Sequence, residues 1–184
     1  MERVHQTLLF YLDYDGEGTL LDVGCGSGAL SIRAALIWPK TRVVGIDYWA
    51  AVYDYSQELC DKNAKSEGVG SRCTFQHGDA NRLDFPDESF DAVVSNYVYH
   101  NITGADKRKL LLETLRVLKK GGVFALNDEM KPRMYGDMEK FAEELRDMGY
   151  QDVRLIDTAK EVFGSRRRAA MMLLGESRML IGRK

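Results

Sequence analysis

The sequence predicts an α/β domain built on a doubly wound, largely parallel sheet. Three observations lead there. Short apolar runs of strand length alternate with segments of helical period from about residue 18 to the C-terminus. The runs are close to continuously apolar, as strands buried on both faces are. The first of them closes in a glycine-rich loop, Gly24-Cys25-Gly26-Ser27-Gly28, that opens a helix.

Thr19 to Val23 is the first strand, and Leu30, Ala34 and Ile37 then recur at i, i+4, i+7 until Trp38-Pro39 ends the helix. Arg42 to Ile46 is a second strand stopping at Asp47, followed by a helix over about Asp54 to Glu67 with Gly68 as its stop. Arg72 to Gln76 alternates as a third strand and runs into His77-Gly78-Asp79, and Phe90 to Ser95 is the fourth. Thr103-Gly104-Ala105-Asp106 matches the S/T-x-x-D/E pattern of a helix start, and Leu111, Leu115 and Leu118 line one face of that helix. Lys119 and Lys120 fall in its expected last turn, where cations oppose the dipole, with Gly121 as the terminal turn. Val123 to Leu126 is a fifth strand, and Phe141, Leu145 and Met148 mark a further helix that Gly149 ends. Two late strands, near Asp152–Ile156 and Ser177–Ile181, have no clear helix between them. A hairpin there places one antiparallel strand in the sheet.

Composition narrows the function classes. The chain has 184 residues, 45% hydrophobic and 29% charged, with three prolines, no repeat and no Ser/Pro-rich linker, so one domain over residues 1–184 is expected. A net charge of −2 provides no global attraction to nucleic acid or anionic lipid. Arg166, Arg167 and Arg168 form the one dense basic cluster, read either as a solvated loop or as a contact to an anionic substrate. Three cysteines without C-x-x-C spacing suggest neither a disulfide framework nor a thiolate zinc site, which fits a reducing compartment. The first ten residues are too polar and too short for a signal peptide's core, and no run reaches membrane-spanning length. A cytoplasmic protein, monomer or homodimer, is the expectation.

In such a sheet ligands bind at the carboxyl ends of the strands, where strand order reverses. Gly24, Gly26 and Gly28 stand there, and glycines let the backbone turn tightly and approach a ligand while the helix start offers free N–H groups. The loop also satisfies the G-x-G-x-x-G/A pattern of dinucleotide enzymes, so alone it separates nothing. Asp22, inside the end of the first strand, would repel a pyrophosphate but suits an ammonium, or else is structural and satisfied by loop N–H groups. Asp47 ends the second strand where a carboxylate can take both hydroxyls of a ribose. Asp79 follows the third strand, where an adenine amino group can donate to it, unless it is an ordinary turn aspartate. The acidic run of Asp84, Asp87, Glu88 and Asp91 is read as a solvated turn and strand start, and no metal site is expected.

Leu20 to Gly28, Gly45-Ile46-Asp47, Gly78-Asp79-Ala80, Phe85 to Asp91 and Leu118 to Gly122 together resemble the class I S-adenosylmethionine (SAM)-dependent methyltransferases, in the branch acting on small molecules. That resemblance implies a Rossmann-like seven-stranded sheet whose last strands form the antiparallel hairpin, with SAM as cofactor and S-adenosylhomocysteine as product. It implies that the glycine loop, Cys25 included, and Asp22 hold the methionine end and that Asp47 holds the ribose. Tyr48 and Trp49 would cover a face of the adenine, and Asp79 and Ala80 would meet its edge. Asn96 and Tyr97 would lie near the sulfonium and its methyl.

On the acceptor side His100, in Asn96-Tyr97-Val98-Tyr99-His100-Asn101, is the best candidate base for a hydroxyl or carbon acid, because histidine titrates near neutrality. A binding or structural histidine is the rival reading. Tyr97 and Tyr99 would shape the acceptor pocket, with one of them possible as a core residue. The same segment lacks the Asn/Asp-Pro-Pro-aromatic motif of methyltransferases acting on DNA bases, so a small-molecule acceptor is expected and nucleic acid is not. Residues 128–136 are the main loop left for a substrate lid. The rival functions are a SAM-binding protein without catalysis and an NAD-dependent oxidoreductase; Asp22 and the late hairpin count against the second.

Overall fold

The computed structural model describes residues 1–49 and 55–184 and builds one sheet from seven strands. These are β1 (Thr19–Val23), β2 (Arg42–Asp47), β3 (Cys73–His77), β4 (Phe90–Asn96), β5 (Leu118–Glu129), β6 (Gln151–Ile156) and β7 (Ser177–Arg183). Their spatial order is β3-β2-β1-β4-β5-β7-β6. The first five pair in parallel, and β7 runs antiparallel to both β5 and β6. The doubly wound sheet with one antiparallel strand near the C-terminus is therefore as expected. Strand order reverses between β1 and β4, which puts the crevice of such folds at the carboxyl ends of those two strands.

Helices cover both faces because the central strands are apolar on both; Leu20, Leu21, Val23, Val93, Val94, Phe124 and Ala125 are all buried. On one face lie α1 (Glu2–Tyr11), α2 (Ala29–Ile37) and α3 (Gln57–Ser66), joined by α7 (Thr158–Phe163), which packs on α1. The other face carries α4 (Lys107–Arg116), α5 (Pro132–Tyr135) and α6 (Met138–Asp147). A last short helix, α8 (Arg166–Ala170), leads into β7.

Several boundaries differ from expectation, each for a local reason. The N-terminal segment is helical: Val4, Leu8 and Leu12 recur every four residues and are buried. Helix α3 is capped by Ser56, whose Oγ accepts from Leu59 N–H at 3.2 Å, so the predicted start at Asp54 lies outside the described residues. Helix α4 is capped by Asp106 rather than Thr103, because the Asp106 carboxylate accepts from Arg108 and Lys109 N–H.

Lys119 and Lys120 are not in a helical turn. The helix stops at Arg116, and β5 starts at Leu118 with a bulge against Phe90–Ala92. Lys119 Nζ meets Asp91 Oδ1 at 2.7 Å, while Asp91 Oδ2 accepts Thr19 N–H. The lysines and glycines that resemble a helix end thus open a strand. Between β6 and β7 there is no tight hairpin but α7 and α8, capped by Asp157 and Ser165 and too short to show a period. Arg166–Arg168 accordingly lie on α8. Nor is 128–136 a loose lid: Asp128 and Glu129 at the end of β5, Tyr135 in α5 and Met130 between them are all buried.

Asp22 is 1% exposed, and its Oδ2 accepts the Ser31 hydroxyl of α2 at 2.6 Å. Burial pushes its carboxyl from 3.8 up to about 7, against the hydrogen bond from Ser31 and with the charge of Asp47 adding to the rise. The folded chain therefore holds this proton more tightly than the unfolded chain, and its contribution to stability is lost as pH climbs from about 4 to about 7. Asp22→Asn cannot titrate. It is expected to gain on the wild type across that window, by at most about 1.4 kcal/mol per pH unit. Urea unfolding at acid and neutral pH reads the difference; a constant offset would show that Asp22 titrates at its ordinary value.

Candidate active site

At the end of β1 the backbone turns through Gly24, Gly26 and Gly28, with φ of 75°, 56° and 79°. L side chains rarely adopt these angles. A Cβ at Gly24 would lie 2.2 Å from Val98 Cγ2, so this loop packs directly on the segment after β4. The N–H groups of Gly24 and Cys25 both donate to the Ile46 carbonyl, at 2.8 and 3.0 Å, which ties β1's end to β2.

Asp47 completes the tie. Its Oδ2 accepts Gly26 N–H at 2.8 Å and its Oδ1 accepts Trp49 N–H at 2.7 Å. The Trp49 indole N–H returns to the Gly26 carbonyl at 2.9 Å, with the Trp49 backbone at a φ of 43°. A carboxylate offers about four lone-pair sites, so the half-buried Asp47 keeps acceptor capacity beyond these two bonds. Trp49 packs against the α2 side of the core. Tyr48 is exposed and sits beside His77, ring centroids 5.1 Å apart.

The loop after β3 joins them through Gly78 N–H, which donates to the Asp47 carbonyl at 3.0 Å. There the exposed Asp79 closes an Asx turn, its Oδ1 accepting the backbone and side-chain N–H of Asn81 at 2.8 and 2.7 Å. Ala80 is half-buried against the α4-side core. The glycine loop, Asp47, Tyr48, Trp49, Asp79 and Ala80 are thus carried on three adjoining strand ends. Asp22, two residues before Gly24 on β1, is bonded to Ser31 of α2 behind the loop.

Past β4 the polar groups interlock. Asn96 Oδ1 accepts from Asn127 Nδ2 at 2.8 Å, and Asn127 Oδ1 accepts from Thr158 Oγ1 at 2.8 Å. Tyr97, at a φ of 58°, donates its N–H to the Asn127 carbonyl at 2.9 Å, and its hydroxyl bonds to Ser177. Burial raises the Tyr97 hydroxyl above its ordinary value. Tyr99 is the tyrosine that turns inward; it is fully buried and bonded to Thr114.

His100 is held by Asp128, which sequence reasoning missed as a site residue. Asp128 is 0% exposed and receives the His100 ring at Nδ1. It also takes His100 N–H at 3.2 Å, Glu129 N–H at 2.7 Å and the Tyr135 hydroxyl at 2.9 Å. A carboxylate only accepts, so His100 Nδ1 carries the proton and Nε2 is left as an acceptor on a side chain 28% exposed. Burial and the neighbouring Asp128 push Tyr135 upward, which keeps it a donor. The available signal was the polar run Asn127-Asp128-Glu129 continuing an apolar strand at its carboxyl end. Tyr55 was also missed; its ring lies 3.7 Å from where a Gly26 Cβ would stand.

Other features stay outside this crevice. A cleft of about 510 Å³ lined by Leu83, Phe85, Glu113 and Arg116 lies by the amino end of β4. No cluster of three or more potential metal ligands occurs among the described residues. None of their helices is long and apolar enough to cross a membrane.

Comparison with known proteins gives the family and the fold. The 27-O-demethylrifamycin SV methyltransferase of Amycolatopsis mediterranei is 32% identical over 130 residues, covering 71% of this chain and 45% of that protein. The chain spans half or less of the length of the curated relatives it matches first. Among solved structures, the [4+2]-cyclase SpnF superposes with a TM-score of 0.75 at 22% identity, covering 100% of this chain and 81% of that one. A geranyl diphosphate methyltransferase in complex with SAM gives 0.70 at 16% identity, covering 97% and 83%. At these identities the superpositions speak for the fold alone. The family described as "Methyltransferase domain" matches residues 21–126, more than half of the chain, and the protein belongs to this family of class I SAM-dependent methyltransferases.

Proposed function

We propose that this chain transfers a methyl group from SAM to a small-molecule acceptor. The observation that carries the reading is the closure of the β1 and β2 loops through Asp47, which ties the glycine-rich turn to the end of β2 and leaves a carboxylate with acceptor capacity. A nucleoside with a cationic amino-acid tail fits that chemistry. Asp47 would take the ribose hydroxyls, Asp79 and Ala80 the adenine edge, and Tyr48 and Trp49 its face. Gly24 to Gly28 and Asn96 would hold the methionine end. Asp22, bonded to Ser31 behind the loop, would support the turn that receives the methionine end. The relative named for demethylrifamycin supports a small organic acceptor.

The methyl of a sulfonium is already activated, so the protein's part is alignment and exclusion of water, which can supply about 7–11 kcal/mol of barrier reduction. Tyr97 walls the acceptor side, anchored to Ser177 and Asn127. His100 is the proton acceptor, through Nε2, for a nucleophile that must lose a proton; Asp128 is a positioning residue that fixes the ring and its tautomer.

Isothermal calorimetry with S-adenosylhomocysteine tests the cofactor half. Binding is expected, and Asp47→Ala should weaken it by about 1–3 kcal/mol, the cost of unpairing buried polar groups. Absence of binding by the folded wild type refutes the assignment, and unchanged affinity in the variant removes Asp47 from the ribose.

The acceptor half is read by methyl transfer from labelled SAM to small hydroxyl, amine and thiol compounds. His100→Ala is expected to lower turnover of a hydroxyl acceptor about 10²-fold or more while S-adenosylhomocysteine affinity stays near wild type. Asp128→Asn should lower it by a smaller factor. Wild-type rates in His100→Ala would dismiss the base.

A further inference from the structure

The connection between α7 and β7 carries a surface outside the residues assigned above to methyl transfer. Immediately after α8, Met171, Met172 and Leu173 project into solvent at 85%, 64% and 81% exposure. Three consecutive large apolar side chains this exposed are unlike the scattered apolar residues of an ordinary surface. The turn that presents them is well formed. Leu173 N–H donates to the Ala170 carbonyl at 3.0 Å and Leu174 N–H to the Ala169 carbonyl at 2.9 Å, the paired bonds of a Schellman-type reversal. Its left-handed position, which glycine fills without strain, is occupied by Leu173 at a φ of 62°. A strained backbone thus holds an apolar side chain outward.

Three arginines precede this tip, with Asp157 and Glu176 as the nearby acidic residues. Arg166, Arg167 and Arg168 form the preceding turn and are exposed. Arg166 meets Asp157 at 2.9 Å, whereas Arg167 and Arg168 make no ion pair among the described residues. A convex apolar tip flanked by guanidiniums matches a surface that offers hydrocarbon and anionic headgroups together. The tip also sits at the functional end of the sheet. Because β7 is antiparallel, Ser177 at its start pairs with Glu129 at the end of β5, and Met130 N–H reaches back to the Glu176 carbonyl at 3.0 Å.

We propose that the 166–173 tip docks the protein on an anionic lipid surface, Met171, Met172 and Leu173 entering the headgroup layer and Arg167 and Arg168 pairing with lipid phosphates. The net charge of −2 gives no global attraction, so the contact is local and peripheral. Docked in this way, the molecule turns the carboxyl ends of β4 and β5 towards the lipid.

Co-sedimentation with vesicles tests this, comparing phosphatidylcholine alone with phosphatidylcholine mixed with phosphatidylglycerol. The wild type is expected to bind the anionic vesicles about tenfold more tightly than the neutral ones, and less tightly as salt is raised. Leu173→Gly relieves the left-handed strain, so it should preserve or raise the melting temperature while weakening vesicle binding. Met171→Ser with Met172→Ser, and Arg167→Glu with Arg168→Glu, should each abolish the preference for anionic vesicles. No binding to either vesicle, or binding that these variants leave unchanged, overturns the proposal. So does light scattering that shows the tip variants dissociating a dimer in a protein that ignores vesicles. S-adenosylhomocysteine binding, measured in parallel, reports on the methyl-transfer reading separately, since the vesicle result does not depend on it.

Discussion

The carboxylate of Asp47 governs the carboxyl edge of the sheet. Parallel strands β1 and β2 end level, with Val23 opposite Ile46, and beyond them the backbone leaves the ladder with its polar groups unpaired. The Ile46 carbonyl takes two of the amides, and Asp47 takes Gly26 N–H on one oxygen and Trp49 N–H on the other. Without it, those two amides would lose their acceptor, and the indole bond to the Gly26 carbonyl would be left to hold Trp49 at its unusual φ. The glycine loop is thus held by bonds within the protein, and a loop so held costs less to order on binding. One side chain holds the loop and offers the remaining acceptor sites, so loop structure and ligand chemistry are joined in it.

The acceptor side depends on strand direction instead. If β7 ran parallel to β5, its first residue would lie at the far edge of the sheet. Running antiparallel, it brings Ser177 level with Glu129 and within reach of the Tyr97 hydroxyl. The same edge carries the chain Asn96–Asn127–Thr158, in which both amide oxygens accept a hydrogen bond and the Thr158 hydroxyl donates one. Buried polar networks of this kind are stable only when satisfied, and a satisfied one is rigid. Tyr97 and Asn96 are therefore placed by residues far away in sequence.

That distinction also explains what could be read from the sequence. The loop after β1, Asp47 and the Gly78-Asp79 turn are local events, each a few residues long with a compositional mark, and they stand where the pattern puts them. The crowded stretch from Leu115 to Gly122 misled because lysines and a glycine end helices and also open bulged strands; only the pairing of Lys119 with Asp91 and of Phe90 with Leu118 separates the two. Helices α7 and α8, at six and five residues, are too short for a period to show. The polar run Asn127-Asp128-Glu129 marked the place of Asp128 but not its role, which comes from Tyr135 in α5 and His100 after β4, contacts that no spacing encodes.

Fold alone does not choose the reaction. A protein named as a [4+2]-cyclase covers the whole of this chain in superposition, so a sheet of this order is not committed to group transfer. The discriminating features are those the sheet does not require. Nothing in the packing of β5 calls for a carboxylate at Asp128, and a buried one is costly unless several donors meet it. Four do, and one of them is the His100 ring. An uncharged residue would fill the same space at less cost, whereas a carboxylate also fixes which imidazole nitrogen is left to accept a proton. A neutral amine acceptor attacks with its own lone pair and needs no such group; a hydroxyl or carbon acid does. Under the methyl-transfer reading, the burial of Asp128 beneath His100 thus bears on the acceptor more than on the cofactor, and favours a nucleophile that must first be deprotonated.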